Sequence, residues 1–573
     1  MKPVRLSAAA TLALPRWAMF ALGLLYILPG LVGRDPWKDD AGSFGAMWTM
    51  AHGSLNDWLY PNIAGLPALD DGPLAYWIGA VCIKLFGWLT GDMLAARLSN
   101  IAFFVIGALS VWFCAFHLGR RNEAQPLRLA FGGQPEPDDY GRTLADTALL
   151  IYIGSLGLLW HSHLIAPATL QVSLLAFLLY RAVRYVELPT LGNAALTGLA
   201  LGALTLARDA TPAIALAVTL LLCTRFLRMP ALRSLLHMGV AVLCALALVM
   251  VWALPASLIA PYGASPLPSW LHTTLTDIDW PTRASLAHFF RAGIWFFWPA
   301  WPFAGWAVYA WRRQSGLLHI VLPLSMVGTL TLLCVAVRMP EQGSLLLLLP
   351  PLAIMAAFGL PTMKRGAINA IDWFSVMVLT MVAGLIWMFW AAKFTGWPLW
   401  MARNALKLLP GFAPEFHLAA FIVAASASVG WIALVHWRIS RQPSVLWRAV
   451  VLSSGGLILF WVLLTTLFIA EFNYSKSYAQ VARQIAAKLP AQLDCVETNV
   501  GAAQRESFAY FGHLPFTGVN GGKCQALLLQ DSVKLRDDKE NLQGHDSRNW
   551  ALLWEGRRPS DRDERFRLYR RIR

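Results

Sequence analysis

Charge is what this sequence has least of. Asp, Glu, Lys and Arg make up 14% of its 573 residues, against 57% hydrophobic ones. That is too little to clothe a water-soluble surface, and it places the chain among polytopic membrane proteins. Cysteine is scarce as well, and none of the seven falls in CxxC or Cys/His ligand spacing, so no zinc site is visible. Cys82, Cys114, Cys223, Cys244 and Cys334 lie in apolar segments and are read as small core residues. No small-residue cleavage site follows the apolar run that begins after Lys2, Arg5 and Arg16, which argues for an uncleaved first helix. Internal repeats and low-complexity tracts are absent. The excess of 47 Lys and Arg over 32 Asp and Glu, a formal +15, does not point to nucleic acid, because the cytoplasmic loops of membrane proteins carry such an excess.

What is present is a series of apolar runs near the 20 or so residues that a bilayer requires. Thirteen are counted, at 12–32, 95–118, 143–160, 169–186, 191–207, 211–226, 237–257, 288–310, 317–337, 345–360, 370–391, 415–436 and 449–470. Lys/Arg clusters fall in alternate loops, which makes those loops cytoplasmic and leaves the N-terminus inside and the C-terminus outside. A fourteenth apolar stretch, Leu74 to Leu89, would break that alternation if it crossed. Rich in Trp and Tyr, it is expected to lie flat on the outer surface or to re-enter. Ala392 to Pro414, with cations among apolar residues, reads as another surface helix.

Two domains follow: a membrane domain over 1–470, with an external loop at 33–94, and a soluble external domain over 471–573. The expected fold class is an all-α polytopic membrane domain of about 13 helices with a small C-terminal α/β domain. In the latter, Tyr478 to Leu489 has helical spacing, and Ala526 to Leu529 and Ala551 to Trp554 are strand-like. The tail RFRLYRRIR reads as an edge strand or a basic strip against anionic headgroups. Cys495 and Cys524 both fall in this polar region, which suggests a disulfide in an oxidising compartment.

Candidate chemistry gathers in Gly33 to Gly72, a polar and aromatic loop with two Asp pairs. Asp39 and Asp40 could cap a helix starting near Ser43, or one of them could serve as a general base at the membrane surface. Asp70 and Asp71, ahead of Gly72 and Pro73, read first as turn formers. Arg208 and Asp209 lie between two helices at their outer ends, where Arg208 could bind a phosphate. Arg283, Arg291 and Arg338 are also on outer ends, against the positive-inside trend, which favours an anionic lipid ligand. His161 and His163 have i, i+2 spacing, too little for a metal motif alone. With Asp39, His161 could contribute to a divalent-ion site, and no cofactor is otherwise implied.

The order of these features resembles the C-type integral-membrane glycosyltransferases (GT-C), in particular the bacterial family related to protein O-mannosyltransferases and lipid A aminoarabinose transferases. The residues that carry it are Asp39-Asp40, Gly53 with Trp58, Pro73-Leu74-Ala75-Tyr76-Trp77, Leu85-Phe86-Gly87, Ala96-Arg97-Leu98, Gly198 to Arg208, and LLPPLA from Leu348 to Ala353. Asp71-Gly72 stands where the aminoarabinose transferases have a Lys before the Pro. Pro340, Glu341 and Gln342 replace the polar residues that precede their late Leu-Pro segment.

The resemblance implies an inverting enzyme of the bacterial inner membrane, transferring a sugar from a polyprenyl-phosphate donor to lipid A, another envelope glycan or lipid, or protein. Asp40 is the expected base, with Asp39 tuning it or binding a divalent ion. Arg208, Arg291, Arg338, Asp71, Tyr76 and His163 form the expected substrate-binding set. The alternative is a transporter or lipid flippase, which would be expected to keep its charges near the midplane and to show repeated halves.

Overall fold

The structure is a computed structural model that describes residues 4, 6–11, 14–68, 70–128, 133–227, 229–259, 266–276, 278–337, 342–441, 445–490, 493–517, 524–532, 542 and 547–572. Arg338, Pro340 and Glu341 lie outside the described residues. All thirteen apolar runs fall on helical segments, though not on thirteen unbroken ones. Seven described helices are long and apolar enough to cross a bilayer: Asp92–Arg120, Ala231–Ser257, Leu318–Ala336, Gln342–Thr362, Gly366–Thr395, Leu418–Ser440 and Ala449–Leu467. Four apolar ones are shorter, namely Arg16–Ile27, Leu74–Thr90, Leu191–Ala207 and Thr211–Phe226. Two runs are each split into two helices. Pro137–Ile153 is followed by Leu156–His161, and Arg283–Phe296 by Ala300–Trp311, with Pro299, which cannot donate a helical N–H, at the second break. Pro167–Glu187 is long enough but carries Arg181, Arg184 and Glu187 in its last two turns. The chain is a multi-pass membrane protein.

Burial orders these helices from centre to edge. Every residue of Leu349–Gly359 is buried, as expected of a segment that is apolar all round. By contrast, only 11% of the most apolar window of Gly366–Thr395, and the same share of Leu418–Ser440, is covered by protein, so these two form a periphery suited to lipid. Close approach is obtained with small residues. A side chain at Gly198 would meet Ala241 O at 2.1 Å and one at Gly202 would meet Ala245 O at 2.8 Å. The Leu191–Ala207 and Ala231–Ser257 helices therefore touch backbone to backbone, as GxxxG pairs do.

The expected surface helix between 392 and 414 is present as Leu399–Leu408, with Leu399, Trp400, Leu406 and Leu408 exposed beside Arg403 and Lys407. Leu74–Thr90 packs along the Asp92–Arg120 helix and leaves Leu85, Phe86, Trp88 and Leu89 exposed.

The C-terminal region is a four-stranded sheet in the order Val496–Thr498, Ala526–Ser532, Glu564–Arg571, Trp550–Gly556, with helices Ala479–Ala486 and Ala502–Gly512. The first pair is parallel, the others antiparallel. The basic tail is therefore not an edge strand: Glu564–Arg571 is paired on both sides. Nor are all its cations left for headgroups, because Asp531 takes Arg565 at 2.8 Å and Arg567 at 2.5 Å. The alternation of apolar and charged residues in RFRLYRRIR reports two covered faces of different polarity, which an interior strand has as well as an edge one.

Register explains the cystine. Val496 lies opposite Ala526 in the parallel pair, so Cys495 and Cys524, just ahead of these strands, come together in a disulfide with a Cα–Cα distance of 5.0 Å across 29 residues. A loop of that length is worth about 3.6 kcal/mol in cross-link entropy. The Cys495→Ser/Cys524→Ser double variant is expected to lower the stability of the sheet region by about that amount, measured by urea-dependent pulse proteolysis against wild type.

Candidate active site

The first loop is organised by a buried cation. Arg34 is 2% exposed, and a guanidinium in that position must be paired and hydrogen bonded. Its Nη2 donates to Asp40 Oδ2 at 2.8 Å and its Nη1 to the His163 carbonyl at 2.9 Å. The Trp37 ring lies under it, 3.8 Å from Cζ to centroid. Asp40 Oδ1 accepts the Trp37 backbone N–H at 2.7 Å, and the Ile165 N–H points at Oδ2 from 3.4 Å. Beneath this pair Arg97, itself buried, donates through Nη1 to the Arg34 carbonyl. Burial lowers the pKa of Arg34, against the opposing pull of Asp40 and Asp39.

Asp40 does stand at the N-cap of the next helix, Ala41–His52, but its side chain makes no capping bond. The helix begins earlier than expected, and the carboxylate turns back into the loop because Arg34 and the Trp37 amide claim it. Asp39 differs sharply from its neighbour. It is exposed, and its nearest cation is Lys476, 3.8 Å away. The Lys476 ammonium rides above two rings, Trp160 at 4.4 Å and Trp37 at 5.2 Å, and burial lowers its pKa.

Lys476 belongs to the Ile469–Lys476 helix, which leads into the C-terminal sheet region. Asn473, on the same helix, pins the loop: its Oδ1 accepts from the Asp35 amide at 3.1 Å and from Trp37 Nε1 at 3.0 Å, and its Nδ2 donates to the Gly33 carbonyl at 2.8 Å. Burial raises the pKa of Asp35, partly offset by a hydrogen bond from Ser477 and by Arg97 and Arg483.

A second cluster lies beside the Ala41–His52 helix. Arg208 Nε donates to Asp71 Oδ1 at 3.1 Å, and Asp71 Oδ2 accepts from Tyr76 Oη at 3.2 Å. The Arg208 carbonyl accepts from the Gly72 N–H and from Trp270 Nε1, while Gln171 donates to Asp209 at 3.1 Å. Three expected residues, Asp71, Tyr76 and Arg208, thus meet. Asp71 is the ion partner of Arg208 rather than a turn former alone.

Other expectations fare differently. His163 contributes through its carbonyl, not its ring. The imidazole is fully buried, with Nδ1 2.8 Å from Leu159 O and Nε2 2.9 Å from Tyr26 O. Burial holds its pKa down to about 4, so it is a neutral fastener and not a surface that substrate reaches. His161 is bonded to the Gly157 carbonyl. Arg291 is exposed on Arg283–Phe296, and no described contact joins it to either cluster. Among the described residues, no three of His, Cys, Asp or Glu converge as metal ligands. A crevice lined by Tyr185, Thr197, Thr224 and His237 opens at the helix ends remote from Arg208 and belongs to neither cluster.

Sequence reasoning missed Arg34, Asn473 and Lys476. Arg97 was noted only as part of a motif. Its position just inside an apolar helix was the available signal, since a cation there needs a partner.

The bundle of apolar helices, its first interhelical loop clamped between buried arginines and a small C-terminal α/β domain, shares its fold with a solved membrane protein. Its form is ArnT-like: the chain matches the crystal structure of ArnT from Cupriavidus metallidurans bound to undecaprenyl phosphate with a TM-score of 0.65, covering 96% of this chain and 98% of that one at 14% identity. The apo form of the same protein matches with a TM-score of 0.63 at 15% identity, covering 96% and 97%. At such identities the likeness is one of fold. No protein-family model and no curated protein sequence matches the chain.

The ion pair makes a stability prediction. Asp40→Ala strands the Arg34 guanidinium and is expected to cost about 3–5 kcal/mol, and adding Arg34→Met should recover most of it. Thermal unfolding of the detergent-purified variants, followed by circular dichroism, measures both.

Proposed function

We propose that the chain is an inverting glycosyltransferase that moves a sugar from a polyprenyl-phosphate donor to a hydroxyl of an envelope glycan, lipid or protein. It works on the outer side of a bacterial inner membrane, with residues 33–94 and 471–573 external and the N-terminus cytoplasmic. The observation that carries this reading is the division of labour between adjacent carboxylates at the loop of an ArnT-like fold: Asp40 is sealed and fully hydrogen bonded, while Asp39 is exposed. A general base has to come within hydrogen-bond reach of the proton it takes. The base is therefore assigned to Asp39, revising the expectation of Asp40, and Asp40 holds the loop.

In this reading Asp39 accepts the proton as the acceptor oxygen attacks the anomeric carbon. The bond from that carbon to the phosphate oxygen breaks, and the lipid phosphate leaves with an added negative charge. Arg208, fixed by Asp71, supplies the cation that stabilises it. Support for a lipid-linked donor comes from the undecaprenyl phosphate bound in the ArnT structure.

Proteoliposomes supplied with synthetic undecaprenyl-phosphate hexose, pentose and aminopentose, together with extracted envelope lipids, test the reading. Asp39→Asn is expected to lower kcat by about a hundredfold or more at unchanged thermal stability. Full transfer by that variant would sink the assignment of the base. Absence of transfer by wild type from every donor would sink the function.

A further inference from the structure

The Ala41–His52 helix has glycine at positions 42 and 45, facing the Ala502–Gly512 helix of the C-terminal region. A side chain at Gly42 would meet Ala502 Cβ at 3.4 Å, and one at Gly45 would meet Glu506 Cγ at 2.4 Å. Glycine at 45 is thus the space that Glu506 fills. The contact extends on both sides of that point. Tyr510 packs edge-on against Phe44 at 5.2 Å and Trp48 at 5.7 Å, and Arg505 donates to the Ala64 carbonyl at 3.1 and 2.9 Å.

Glu506 is 1% exposed. Its Oε2 accepts from Ser507 Oγ at 3.1 Å, and its Oε1 has no hydrogen-bond partner among the described residues. The charges that face it are Asp40 and Asp35 of the loop and Arg97 of the Asp92–Arg120 helix, with Arg34 behind Asp40. Arg97 Nε and Nη2 are equally without partners. Orphaned donors on Arg97 and an orphaned acceptor on Glu506 are therefore both buried, in a protein interior where unmade hydrogen bonds are costly.

We propose that Glu506 is a positioning residue for the reactive loop, acting through Arg97 and Arg34 to set where Asp39 and Asp40 stand, so that the C-terminal region is part of the site. The inference rests on the reading of Asp39 as base. Its path is short: Glu506 packs against Gly45 of the helix that Asp40 begins, the Arg97 charge acts on Glu506 without an ion-pair contact, Arg97 holds the Arg34 carbonyl, and Arg34 holds Asp40 and the His163 carbonyl.

Burial raises the pKa of Glu506 well above the usual carboxyl range. Ser507 and Arg97 oppose the rise, and Asp40 and Asp35 add to it. A neutral acid adds no third anion to Asp35 and Asp40. The sign follows. Docking is strongest below the ordinary carboxyl pKa and weakens as pH rises through the raised one, because ionisation then favours the undocked, solvated carboxylate. Gln reproduces the neutral form and its shape.

The test uses full-length protein in proteoliposomes with the same synthetic donors. E506A, and G45V as an independent way of displacing Glu506, are expected to lower kcat about tenfold to a hundredfold, with KM within about threefold of wild type. E506Q restores most of the rate lost in E506A and removes the decline of kcat that sets in as pH rises through the raised Glu506 pKa. Hydrogen exchange of residues 33–45, which needs no turnover, is about fivefold faster in E506A and G45V than in wild type or E506Q.

Wild-type kcat in E506A, equal loss in E506Q and E506A, or unchanged exchange at 33–45 overturns the proposal. If wild type transfers no sugar at all, the functional reading fails separately, and the exchange comparison alone decides whether Glu506 positions the loop.

Discussion

Burying the Arg34 and Asp40 charges together is the constraint from which the rest of the site follows. Neither group could be removed from water alone, since an isolated buried charge costs several kcal/mol even after relaxation. Their pairing closes the loop on itself over six residues and lays Trp37 beneath the guanidinium. It also draws in the 163–165 segment through a carbonyl and an amide. With Asp40 committed inward, the peptide geometry leaves Asp39 facing out. Asp39, the proposed base, is thus placed by its neighbour's burial, with Lys476 as its nearest cation 3.8 Å away.

The two polar clusters share one structural member, the Ala41–His52 helix. Asp40 begins it, the Leu74–Thr90 helix packs along it, and Tyr76 of that helix donates to Asp71, the ion partner of Arg208. A single rigid helix therefore sets the spacing between the carboxylate pair and the cation at the helix tip. Its other face accepts the C-terminal region because it is lined with glycine where Ala502 and Glu506 arrive. Precision at such a site comes from packing on regular elements, which hold geometry better than loops do.

Much of this was legible in advance, and the reasons are physical. Apolar runs locate helices because lipid and core impose the same demand on composition, so all thirteen fell on helical segments. Breaks inside runs, as near Gly154 and Pro299, were not anticipated, since hydropathy averages over them. The pairing of Arg208 with Asp71 was beyond reach because it joins residues 137 apart. Asp40 and Asp39 were indistinguishable as neighbours in a sequence; what separates them is burial, which depends on Arg34 and on residues more than 400 positions later. His163 misled for a common reason: a histidine suggests chemistry, but here Nδ1 donates to the Leu159 carbonyl and Nε2 accepts from Trp461 Nε1.

The three bonds from Asn473 to the first loop span about 440 positions of sequence, and this separation sets a timetable for biogenesis. At 5–20 residues per second, roughly tens of seconds pass between emergence of Gly33 and of Asn473. Through that interval the loop has its own ion pair but not its clamp. The fold thus has an early half that can close on itself and a late half that locks it. The proposed site is then among the last things the nascent chain completes, so partly made molecules hold it unfinished while the membrane helices are still being inserted.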